Sequence, residues 1–97
     1  MDIVFANSEM EEDLKDNRAL QKKYGAIRTK LLQRRIQTIR FAGSFDQLKS
    51  FPGHFHELKG DREGQWACSL DQPYRLIFTR IGEGTVSLEE IVDYHGK

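Results

Sequence analysis

The apolar residues of this chain change period once, at Phe51-Pro52-Gly53, and that change restricts the fold more than any other feature. From Arg18 to Ala42 they recur at helical spacing: Leu20, Tyr24, Ile27 and Leu31 lie four, three and four apart. Leu32, Ile36 and Ile39 continue on a face turned by one residue. From His54 onward the pattern alternates, so strands are expected over 54–59, 65–70, 74–80 and 86–95. The turns between them, at 60–64, 71–73 and 81–84, are short, which makes consecutive strands antiparallel. Helical and alternating periods kept apart in this way predict an α+β fold, with helices on one face of an antiparallel sheet.

The boundaries follow from local chemistry. Residues 1–7 read as a first strand, and Ser8-Glu9-Met10-Glu11 is a capping box with Ser8 as the cap. Asp16-Asn17 interrupts the pattern and allows a second helix start, while Gly43 suits the C′ position where the long helix stops. Ser44-Phe45-Asp46-Gln47 opens a single turn through Lys49 before the Pro-Gly breaker. Ile27, Leu31, Trp66, Leu76, Phe78 and Ile91 are expected in the core. Trp66, Cys68 and Leu70 share one face, as do Tyr74, Leu76 and Phe78, and these faces meet the helices. The opposite faces, with Arg75 on one strand and Asp93 and His95 on another, are left for chemistry.

A chain of 97 residues forms one domain, here spanning 1–97, with room for one modest core. Charged residues make up 31% with mixed signs, which argues against a disordered polyelectrolyte tail. The lone Cys68 can form no internal disulfide and no CxxC motif, which suits a reducing cytoplasm. The opening residues lack the basic and apolar regions of a signal peptide, and no membrane association is expected. The net charge of zero hides an uneven distribution. Residues 1–16 hold six acids and one base, whereas 17–80 hold thirteen bases and five acids. No acid lies between Asp16 and Asp46, so Lys22, Lys23, Arg28, Lys30, Arg34, Arg35 and Arg40 are uncompensated within the helix and suit a polyanionic partner.

Two clusters carry acid–base chemistry. Asp93, Tyr94 and His95 set a carboxylate, a phenol and an imidazole side by side, and His54 and His56 supply two more imidazoles. Lys59 and Arg75 are the cations expected on the sheet. Cleavage of RNA by its own 2′-hydroxyl needs a base, an acid and positive charge for the phosphorane-like transition state, and these residue types provide all three. His54, His56 and His95 have the count of a catalytic zinc site, but the nearby cations Lys59, Arg62 and Arg75 oppose a divalent ion. No cofactor and no metal are expected. Trp66, flanked by Cys68 and Leu70, reads as core rather than as a platform for bases.

The run Pro52-Gly53-His54-Phe55-His56-Glu57-Leu58-Lys59-Gly60-Asp61-Arg62-Glu63-Gly64-Gln65-Trp66, then Pro73-Tyr74-Arg75-Leu76-Ile77-Phe78, then Glu90-Ile91-Val92-Asp93-Tyr94-His95, resembles the HigB branch of the RelE/ParE toxin superfamily. The resemblance covers residues 52–95 closely and the N-terminal half in layout. It implies a RelE-like toxin fold and a ribosome-dependent mRNA endonuclease that cleaves in the A site, neutralised by a helix-turn-helix antitoxin of HigA type. It places His56, Lys59, Arg75, Asp93, Tyr94 and His95 at catalytic positions. Arg28, Arg34, Arg35 and Arg62 are the residues expected to meet RNA or the ribosome. Two departures are His54, unusual at its position, and the acidic segment from Glu9 to Asp16. The first leaves open which histidine carries the proton. On the ParE side of the superfamily the same fold binds DNA gyrase and cleaves nothing, which is the alternative.

Overall fold

The computed structural model describes residues 1–93; Tyr94, His95, Gly96 and Lys97 lie outside the described residues. Strand β1 (Asp2–Phe5) leads into helix α1 (Ser8–Leu14), helix α2 (Asn17–Phe41) and the short α3 (Phe45–Leu48). Strand β2 (His56–Glu57), a 3-10 turn (Gly60–Arg62), β3 (Gln65–Ser69), β4 (Tyr74–Arg80) and β5 (Thr85–Asp93) complete the chain. The strands form one sheet in the order β1-β5-β4-β3-β2. The architecture is α+β, with the helices on one face. The sheet is mixed rather than purely antiparallel, because β1 runs parallel to β5, from Asp2 opposite Thr85 to Phe5 opposite Leu88. No hairpin ties β1 to β5; most of the chain lies between them, and a long crossover permits parallel pairing.

The caps refine the expected boundaries. Asn7, not Ser8, caps α1, its Oδ1 accepting from the backbone N–H groups of Glu9 at 2.8 Å and Met10 at 3.1 Å. Asp16 caps α2 through Arg18 and Ala19, and Ser44 caps α3 through Gln47. Gly43 does not act as a left-handed stop: α2 ends because Ala42 turns extended. The last carbonyls are met instead by the amino group of Met1, which donates to Ile39 at 3.0 Å and Arg40 at 2.7 Å.

The largest departure is inside α2. Gly25 adopts φ +85°, so two helical stretches meet there at a break. The helical phase restarts, and the buried set becomes Leu20 before the break and Thr29, Leu32, Ile36 and Ile39 after it. Ile27, expected in the core from an unbroken 3.6-residue period, is 71% exposed. Leu31 and Ile91 are partly buried against the core, while Trp66, Leu76 and Phe78 are fully within it.

That core lies between the helices and one face of the sheet, where Met10, Leu20, Leu32, Ile39, Phe45 and Leu48 meet Trp66, Cys68, Leu76, Phe78, Val86 and Leu88. Leu58, Ala67 and Ile77, with Val92 against them, form a small second cluster on the opposite face. Among the described residues no helix is long and apolar enough to cross a membrane.

Candidate active site

The helix-free face of the sheet is assembled by register. His56 pairs with Ala67, Ala67 with Ile77 and Ile77 with Glu90, so these four form one row across β2, β3, β4 and β5. Ser69, Arg75 and Val92 form the next row. His56 and Arg75 therefore share the open face, over a floor of Ala67, Ile77 and Val92. Arg62 joins them from the 3-10 turn, its Nη1 donating to Gln65 Oε1 at 3.0 Å and to Glu90 Oε2 at 3.3 Å.

Glu90 is the acid of this face, and the regular alternation expected of β5 hid it. Phe78 pairs with Leu88 but Ile77 pairs with Glu90, so a bulge inserts one residue between them. Beyond a bulge every side chain changes sides. Glu90 and Val92 face outward as a result, and Ile91 joins the core. The signal was present in the sequence: Val86, Leu88 and Ile91 are spaced two and then three apart, with Glu89-Glu90 filling the longer step. The same bulge corrects the expectation for Asp93. It stands opposite Tyr74, on the helix-facing side, whereas Arg75 opposite Val92 faces the other way. The expected Asp93, Tyr94 and His95 trio reaches the described residues only through Asp93.

β2 is shorter than expected because the backbone of His54 is left-handed at φ +55°, which delays pairing to His56. The carbonyl of His54 lies 2.9 Å from His56 Nδ1, and the two rings are centred 4.5 Å apart. A carbonyl oxygen can only accept, so Nδ1 carries the proton in this contact, and Nε2 is the nitrogen left for other partners. The turn is anchored to β3, with Ser69 N–H donating to the Gly53 carbonyl at 2.8 Å and Arg35 Nε donating to the Ser69 carbonyl at 2.7 Å. Gly53 itself, at φ +121°, leaves no room for a side chain: a Cβ there would lie 2.7 Å from Arg35 Nε and 2.9 Å from Phe55 Cε2. Gly53→Ala is expected to destabilise the protein by about 1–3 kcal/mol in urea unfolding.

The remaining expected site residues are dispersed. Lys59 is exposed and borders a hollow of about 420 Å³ with Glu57, Leu58, Gly60 and Glu63, whose lining includes neither His56 nor Arg75. Arg28 is drawn into the structure: Nε and Nη2 donate to the two carboxylate oxygens of Asp71 at 2.9 and 3.2 Å. Its guanidinium also lies 3.4 Å from the centre of the Tyr74 ring. The Asp71 contact raises the Arg28 pKa and holds it charged. Lys23 is likewise committed, with Glu9 and Asp13 each 2.9 Å from Nζ and together raising its pKa. The basic stretch is thus partly compensated from α1 and from the turn after β3, which a charge count along the helix alone misses. Arg28→Ala is expected to cost about 1–3 kcal/mol of stability, the weight of a charged hydrogen-bonded group. Urea titration reads the loss.

Burial pushes the Cys68 thiol up to about 12, so it stays protonated and outside the chemistry at neutral pH. Among the described residues no group of three or more His, Cys, Asp or Glu side chains is placed to hold a metal ion. Of the three histidines weighed for such a site, His95 lies outside the described residues.

No protein-family model matches the chain, and no curated protein matches it. Among solved structures it superposes on a protein described as "YoeB/ParE toxin from Agrobacterium tumefaciens" with a TM-score of 0.64. In fold, the chain is similar to a YoeB/ParE toxin. The match covers 98% of this chain and 100% of the other, at 18% sequence identity. Helices and sheet therefore agree along nearly the whole length, while most side chains differ.

Proposed function

We propose that this chain is the toxin of a type II toxin–antitoxin pair, an endoribonuclease that cleaves mRNA in the ribosomal A site. The observation that carries the reading is the open face of the sheet, where His56, with Nδ1 held by the His54 carbonyl, and Arg75 lie on one surface. The similarity of fold to a YoeB/ParE toxin supports it.

In the proposed reaction His56 Nε2 takes the proton from the 2′-hydroxyl, and the 2′-oxygen attacks the adjacent phosphorus. Arg75 stabilises the negative charge that accumulates on the phosphoryl oxygens, and Lys59, beside its own hollow, is assigned to a flanking phosphate. The bond from phosphorus to the 5′-oxygen breaks, and that oxygen receives a proton, with His95 assigned as donor. The products are a 2′,3′-cyclic phosphate and a 5′-hydroxyl. Asp93, on the helix-facing side at the end of β5, is given no part at the scissile phosphate. His54 contributes its carbonyl, which makes His56 the proton carrier of the two. The chemistry is complete with protein side chains and calls on no metal or cofactor. Arg34, Arg35 and Arg62 are assigned to RNA and ribosome contact; Arg28 is assigned to structure. The proposed antitoxin is a helix-turn-helix protein of HigA type.

The competing reading is ParE-like inhibition of DNA gyrase by binding. A surface that only binds has no use for an imidazole held in one tautomer, which favours cleavage. Purified ribosomes programmed with a defined A-site codon, run beside a gyrase supercoiling assay, separate the two. The proposal expects cut mRNA and unimpaired supercoiling; uncut mRNA with inhibited gyrase would reverse it.

A further inference from the structure

A second surface adjoins the histidines. Arg34, Arg35, Gln37, Thr38 and Phe41 of α2, with Phe51 and Pro52, line an open hollow of about 430 Å³. Its floor is aromatic: the Phe41 and Phe51 rings are centred 5.9 Å apart and tilted by 58°. Phe41 is 77% exposed, the most exposed large apolar side chain among the described residues. No lining residue is acidic. Lys30, Arg34, Thr38 and Phe41 recur four, four and three apart, so cations and ring form one ridge along the helix. The hollow is joined to the proposed active site through Arg35, whose side chain packs against Gly53 and bonds to Ser69, directly before the His54 and His56 turn.

An exposed aromatic ring at the end of a basic ridge is the composition of a single-strand platform, where cations track phosphates and a ring stacks on a base. We infer that this hollow is a nucleobase-stacking subsite, which holds an unpaired RNA base on Phe41 and Phe51 with the flanking phosphate on Arg34. The inference rests on the RNA-cleaving reading and adds a specificity site to it. The positive charge of Arg34 and Arg35, which form no ion pair among the described residues, and the hydrogen-bonding side chains of Gln37 and Thr38 in the lining suit a base with its phosphate. They do not suit a purely apolar partner.

The test uses the intact protein and two probes: a fluorescein-labelled 2′-O-methyl oligoadenylate, which 2′-hydroxyl attack cannot cleave, and inorganic polyphosphate, which has charge but no base. Phe41→Ala, at an exposed position that leaves the core untouched, is expected to weaken oligoadenylate binding about 5- to 100-fold, the usual weight of one stacked base. Phe41→Trp should retain it, and polyphosphate binding should be the same for all three proteins. Arg34→Glu should weaken both probes. Equal oligoadenylate binding by wild type and Phe41→Ala would overturn the inference and leave a charge-only surface, or one that faces a protein. If wild type cleaves mRNA on ribosomes while Phe41→Ala binds RNA normally, the subsite alone fails. If wild type neither cleaves nor binds the oligonucleotide, the proposed function fails with it.

Discussion

If the chain cleaves mRNA as proposed, His56→Ala is expected to lower single-turnover cleavage on programmed ribosomes by roughly 10²–10⁴, the range for removal of a positioned general base. The imidazole stands on the open face opposite Ala67, and its Nδ1 is engaged by the His54 carbonyl, which leaves Nε2 as the nitrogen for the proposed proton transfer. Ribosome association should hardly change, since a neutral ring adds little to binding by the cations around it. His54→Ala is the informative companion. It removes a ring but keeps the backbone carbonyl that fixes His56, so its loss should stay within about threefold, less than one positioned acid or base contributes. An equal loss from both substitutions would mean that the ring of His54, not its carbonyl, takes part. His95→Ala belongs to the same experiment and should fall in the His56 range if His95 protonates the leaving oxygen.

Arg75→Ala should lower cleavage by about 10²–10³, the cost of removing one donor aimed at developing charge. The row of Ser69, Arg75 and Val92 lies beside that of His56, Ala67, Ile77 and Glu90, which sets guanidinium and imidazole on one surface. Arg75→Lys should recover only part of the rate, because a point charge does not reproduce the planar fork of donors. The loss should appear mainly in the chemical step. A rise in the half-saturating ribosome concentration with an unchanged maximal rate would make Arg75 a binding residue instead. Circular dichroism and urea titration of each variant separate these effects from unfolding.

Much of this arrangement was legible in the residues, and the failures have definite causes. The change of period at Pro52-Gly53 marks where helices end and the sheet begins, and alternation along β3 and β4 put Trp66, Leu76 and Phe78 in the core. Ile27 was misplaced because an unbroken helical period carries across Gly25, and a glycine at φ +85° costs nothing that a pattern of apolar residues records. Asp93 was assigned to the wrong side because strict alternation has no place for the bulge between Leu88 and Glu90. The pairing of β1 with β5 is a long-range event that neither segment announces. Arg28 looked free because its partners, Asp71 and Tyr74, lie more than forty residues away in the chain. His56 and Arg75 were singled out by residue type and resemblance; that they share a face needed the register.

The most direct test of RNA cleavage by 2′-hydroxyl attack is a single-atom change in the substrate. Ribosomes programmed with mRNA carrying one 2′-deoxynucleotide at the scissile position are incubated with wild-type protein beside the all-ribose message, and the ends are analysed. The account predicts cleavage of the ribose message to a 2′,3′-cyclic phosphate and a 5′-hydroxyl, and no cleavage at the deoxy position. Cleavage that persists at the 2′-deoxynucleotide, or an intact ribose message, would contradict it.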